Sequence, residues 1–174
     1  MRTLSHFKFG LAFTLLIYAD QSVNAATCLD SISATTPDSD FILHDDGTVT
    51  HKSTDLMWMR CSLGQTWNGS SCSGSTLTFN WVNALSEANS SEFAGFSDWR
   101  LPNINELLSL VEERCHAPTI NTNIFPGTPN AFFWTSSPFI SDSGNVIFVS
   151  FADGAIFRQS KTDSLRVRLV RDAQ

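Results

Sequence analysis

Phe93-Ala94-Gly95-Phe96-Ser97-Asp98-Trp99-Arg100-Leu101-Pro102-Asn103-Ile104-Asn105-Glu106-Leu107 is the stretch that decides how this chain folds. It holds a tight motif around a tryptophan, then a helix start. Asn103 is a good N-cap, and Glu106, three residues later, completes a capping box. Ile104, Leu107, Leu108 and Val111 recur on one side, and Arg114 falls where a cation complements the end of a helix dipole. The spacing therefore predicts a helix from Asn103 to Arg114, bracketed by Pro102 and Pro118. Trp99 is expected to pack beneath it, with Asp98 and Arg100 holding the loop that enters it.

Upstream, Thr27 to Asp40 reads as an extended arm. Phe41–His44 and Thr48–His51 flank Asp45-Asp46-Gly47, a hairpin signal because Gly accepts the positive φ such turns require. A turn at Lys52–Asp55 leads to a third short strand, Leu56–Met59. Trp81, Ala84, Leu85 and Ala88 lie on one face of a helix over Asn80–Ala88. Downstream the pattern returns to strands: Phe132–Thr135, then Val146–Phe151 against Ala155–Arg158 across Ala152-Asp153-Gly154. Last comes Leu165–Val170, whose alternation predicts a half-buried closing strand with Arg166 and Arg168 outward. Strands early, helices in the middle and strands late make one α+β domain: mixed, mainly antiparallel sheets with two helices, the two ends of the chain sharing a sheet.

Arg2 and Lys8, the apolar run Phe9–Tyr18 and Val23-Asn24-Ala25 have the form of an export leader cleaved after Ala25. The expected organisation is a signal peptide over 1–25 and the domain over 26–174. The run is too short to span a bilayer, so no transmembrane segment is expected after cleavage, and the product is secreted, periplasmic or at the cell surface. Cys28, Cys61, Cys72 and Cys115 all remain, and an even count in an oxidising compartment reads as two disulfides. Three pairings are possible. The Gly- and Ser-rich segment between Cys61 and Cys72 closes readily, which leaves Cys28 for Cys115. No CxxC or Cys/His cluster points to a metal.

The whole chain has 11 basic and 17 acidic residues; losing Arg2, Lys8 and Asp20 leaves nine and sixteen, a net charge of −7. That balance argues against nucleic acid as a partner. Arg158, Lys161, Arg166, Arg168 and Arg171 nevertheless gather in the last seventeen residues. Such a cluster either binds an anionic glycan or pairs with the acidic N-terminal third. HExxH, GxSxG and phosphate-binding glycine loops are absent, Glu112 and Glu113 diverge as neighbours on a helix, and His44 and His51 read as surface hairpin histidines. Asp45 and Asp46 read as turn chemistry rather than a calcium loop. No cofactor and no catalysis are expected. Trp58, Trp81, Trp99 and Trp134 are expected in the core; Trp67, in a polar loop, is the one tryptophan to test for stacking on a sugar.

Asp46-Gly47-Thr48-Val49-Thr50, Leu56-Met57-Trp58, Cys61–Trp67, Asp98-Trp99-Arg100-Leu101-Pro102-Asn103, Trp134–Pro138 and Val167–Arg171 occur together in this order. In that series the chain, from about Cys28 to Gln174, resembles the C-terminal domain family of the Legionella collagen-like adhesin, long a domain of unknown function. The resemblance implies a bacterial secreted or surface protein with a C-type-lectin-like fold, distantly related to formylglycine-generating enzymes. It also implies binding of sulfated glycosaminoglycans in attachment and biofilm formation. No Gly-X-Y stalk precedes the domain here, so trimeric display need not carry over. Asp55 stands where the family has Gly before Leu-Met-Trp. Cys61 and Cys72 do not align with the catalytic cysteines of the formylglycine enzymes, whose oxidase activity is left as a minor alternative. The candidate ligand residues are Trp67, Arg158, Lys161, Arg166 and Arg168, for anionic polysaccharide or another surface ligand. The rival is a structural or assembly subunit of a surface appendage or envelope complex, held by protein–protein contacts.

Overall fold

The computed structural model describes residues 26–173; the expected leader over 1–25 lies outside them. In chain order the elements are β1 (Thr27–Cys28), β2 (Phe41–Leu43), β3 (Thr48–His51), β4 (Leu56–Met59), β5 (Thr66–Trp67), β6 (Cys72–Ser73) and α1 (Trp81–Asn89). They continue with α2 (Ile104–Leu108), β7 (Cys115–His116), β8 (Phe132–Pro138), β9 (Asn145–Ser150), β10 (Ile156–Ser160) and β11 (Val170–Asp172). The named strands all pair antiparallel, as a four-stranded sheet β11-β4-β3-β2, a three-stranded sheet β10-β9-β8, and the ribbons β1-β7 and β5-β6. The early hairpin and the end of the chain do share a sheet.

Local chemistry explains the turns. Gly47 takes φ +88° and Asp46 accepts hydrogen bonds from Thr48 N and Oγ1 at 2.9 and 2.7 Å. Asp55 adopts φ 53°, the turn conformation its position demands. Asn80 caps α1 through Asn83 N, and the capping box of α2 is formed by Asn103 and Glu106 as expected. Both disulfides join as read, Cys28 to Cys115 and Cys61 to Cys72.

Strand alternation sorts the core into two layers. Leu56 and Trp58 of β4, Phe133 of β8 and Val149 of β9 join Leu107, Leu110 and Phe125 in one cluster. Their neighbours Met57, Met59, Trp134, Val146 and Phe148 point the other way, onto Ala84 and Ala88 of α1 with Trp99, Leu101 and Val167.

Four expectations are corrected. Trp99 packs in the layer of Ala84 and Ala88 of α1, not beneath α2, whose Leu107 belongs to the other layer. The second helix stops at Leu108, so Glu112, Glu113 and Arg114 are not helical. Val111 instead bridges Ile120, and the Glu112 carboxylate is claimed by Thr35 and Thr36, residues from the leading arm. His51 is buried rather than on the surface, its ring stacked on Phe41 at 4.6 Å and bonded to the Ser53 and Thr54 hydroxyls. The closing stretch is not half-buried. It runs between the two sheets, with Leu165 bridging Phe79, Arg166 bridging Phe133, and carbonyls of Val167 and Leu169 accepting from Leu63 N and Met59 N. Both its faces are therefore covered from Val167 to Arg171.

Candidate recognition surface

Passage between two sheets decides what the arginines do. Arg168 is 0% exposed. Its guanidinium donates to the carbonyls of Met59 and Arg60 and to the hydroxyls of Ser62 and Thr128, and lies 4.8 Å from the Phe125 ring. Burial lowers its pKa to about 9, so it is still a cation at neutral pH. It ties the Met59–Ser62 segment to the Phe125–Thr128 segment and reaches no solvent. The expectation that it binds a ligand is withdrawn on that ground.

Three further arginines are paired with acids. Arg171 is buried, bonded to both oxygens of Asp98 at 2.7 and 3.1 Å, and stands 3.9 Å over Phe96. That hydrogen bond holds the Asp98 carboxyl below its ordinary pKa. Arg100 grips Glu106 through two bonds and Asp172 through a third; these partners, Glu106 foremost, raise its pKa. Arg114 lies 3.8 Å from Glu112. Desolvation opposes ionisation of Glu112, but the bonds from Thr35, Thr36 and Arg114 outweigh it and hold its pKa down. Among the described residues the ion pairs of the basic cluster reach Asp98, not the acidic N-terminal third.

Trp67 serves its own loop. Its Nε1 donates to Asp45 O, its ring carries the Arg60 guanidinium at 4.2 Å, and it packs on Gly47, where a Cβ would fall 2.6 Å from Trp67 Cγ. The adjoining cleft of about 340 Å³ is rimmed by Asp46 and Glu92, charges of the wrong sign for a polyanion.

Arg158, Lys161 and Arg166 are left. Arg166 is half-buried and its Nε donates to Thr76 Oγ1 at 2.8 Å. Arg158 and Lys161 have aromatic partners only: the Arg158 guanidinium is 4.8 Å from Phe139, and the Lys161 ammonium is 4.7 Å from Trp81. Neither meets a carboxylate among the described residues. Asp163 accepts from Gln159 Nε2, and Asp142 accepts from Gly144 N and Asn145 Nδ2. Arg158 lies within β10, an edge strand of its sheet, and Lys161 follows Ser160, where the strand has ended in a turn.

That edge also carries the feature sequence reasoning missed. A shallow groove of about 360 Å³ is lined by Phe139, Ile147, Ile156, Phe157 and Arg158. Ile156 is 48%, Phe157 52% and Ile140 97% exposed. The one signal was the adjacent pair Ile156-Phe157, which in a strand must send an apolar side chain to each face. Across the sheet Phe157 continues a ring row, 5.8 Å from Phe148, which lies 5.0 Å from Phe132.

No helix among the described residues is long and apolar enough to cross a membrane. Residues 47–171 match the family model of the Lcl C-terminal domain, a span that begins at the Gly47 turn and leaves out the β1 arm. A comparison with curated proteins found no match.

Proposed function

Because the chain belongs to the Lcl C-terminal domain family, we propose that it is a secreted, adhesin-related surface module. It binds anionic, sulfated or carboxylated polysaccharide without chemical conversion, on a C-type-lectin-like scaffold. One observation carries this reading: Arg158 and Lys161 stand on aromatic rings beside a free strand edge, without a neutralising acid, while Arg60, Arg100, Arg114, Arg168 and Arg171 are engaged internally. Two cations on separate aromatic supports suit a long polyanion, which reaches both, better than a single small anion. Engagement of all four sulfurs in disulfides supports a location outside the cytosol and speaks against a thiol-dependent oxidase.

The test is retention on immobilised heparin or dextran sulfate. The natural chain should elute at a defined salt concentration, and Arg158→Ala with Lys161→Ala should elute markedly earlier, because both charges are open to screening. Equal retention of the double variant removes the site. A second reading, assembly through a protein partner, is favoured by a separate observation: the apolar flanks of β10.

A further inference from the structure

The outer edge of β10 is open in its backbone as well as in its side chains. Its pairing with β9 sets Ile156 opposite Val149, Phe157 opposite Phe148 and Arg158 opposite Ile147. Ser150 N bonds Ala155 O at one end of the ladder and Lys161 N bonds Gly144 O at the other. Antiparallel alternation then turns the amides of Phe157 and Gln159 toward β9 and those of Ile156 and Arg158 away from it. No other backbone bond reaches Ile156 or Arg158 among the described residues. Folded proteins normally blunt such an edge with several charges, a proline or a covering loop. Here the strand is Ile156-Phe157-Arg158-Gln159-Ser160, whose only charge is Arg158 and whose apolar residues are half exposed on both faces.

We propose that β10 accepts an extended acidic segment of a partner protein as a fourth strand of the β8–β9–β10 sheet. This inference rests on the assembly reading and is independent of glycan binding. The free N–H and C=O groups of Ile156 and Arg158 supply the ladder bonds. In an added antiparallel strand the residue facing Arg158 shares its side of the sheet, so a carboxylate there meets a guanidinium that has no acid of its own. Apolar residues facing Ile156 and Phe157 cover the Phe139–Ile147 groove on one side and extend the Phe132–Phe148–Phe157 row on the other. A second copy of this chain is the poorer occupant. Paired antiparallel about the strand centre, it would set Arg158 against its own counterpart, a like-charge contact.

The probe is a short, end-capped, fluorescein-labelled peptide with one glutamate set among valines and threonines, titrated with the intact protein and followed by anisotropy. Saturable binding is expected, with a loss of about tenfold or more when lysine replaces glutamate, or when the peptide amides that must donate are N-methylated. Arg158→Glu should reverse the preference, taking the lysine peptide over the glutamate one, a result a misfolded variant would not give. Undiminished binding of the N-methylated peptide, absence of saturable binding by either peptide, or a self-associated dimer that the peptide does not dissociate would overturn the proposal. Failure with the peptide while dextran sulfate is still retained removes strand addition and leaves the glycan reading intact.

Discussion

The closing stretch Leu165–Arg171 and the strand β10 both set arginine beside large apolar residues, and they meet opposite fates. In the first, Val167 and Leu169 face cores and Arg168 and Arg171 are buried against carbonyls, hydroxyls and Asp98. In the second, Ile156 and Phe157 meet water and Arg158 leans on a single ring. The difference is position in the stack of layers. A chain threaded between two sheets has neighbours on both sides, and any cation in it must find acceptors inside the protein. A chain on the rim has neighbours on one side only, and its cation is left for whatever arrives from solution. An arginine in the first setting maintains the fold; in the second it is available for recognition.

The comparison breaks most visibly at Arg168. Arg168→Ala removes a fully buried cation and strands the carbonyls of Met59 and Arg60, and should cost about 3 kcal/mol or more in urea unfolding. If its unfolding midpoint matched that of the natural chain, the division between the two regions would collapse. A smaller effect, which disappears in acid, is expected for Asp98→Asn. The Asp98 carboxyl is held below its ordinary pKa by Arg171, so its contribution is complete above a pH of about 4 and fades as pH falls through the lowered folded value. The variant should be less stable near neutrality and lose less on acidification, which stability curves from pH 7 to pH 2 would check. The smallest effect belongs to β10: Arg158→Ala should change unfolding free energy by no more than about 0.5 kcal/mol, while weakening retention on dextran sulfate. A large stability loss there would place Arg158 with the structural arginines.

Features governed by near neighbours were legible in the sequence. Asp46-Gly47 and Asp153-Gly154 marked two hairpins, Asn80 and the Asn103–Glu106 box marked helix starts, and the Gly- and Ser-rich loop pointed to the Cys61–Cys72 bond. What escaped was set by distant partners. Glu112 leaves the helical pattern because Thr35 and Thr36, 77 and 76 residues away, hydrogen-bond its carboxylate. Arg168 alternates like an outward residue, yet its acceptors lie 109 and 40 residues away. His51 was covered by Phe41 from the paired strand. For the candidate surface, residue type identified Arg158 and Lys161, whereas the exposure of Ile156 and Phe157 depended on β10 being the last strand of its sheet, which no local pattern records.

The bond between Cys28 and Cys115 also governs how the domain responds to mechanical load. Tension entering at the β1 end passes through sulfur directly to β7, bypassing the 87-residue separation that holds β2, β3, β4 and both helices. At roughly 3.4 Å per extended residue, about 300 Å of contour is kept from unravelling, so a tether attached there transmits a tug without lengthening by that amount.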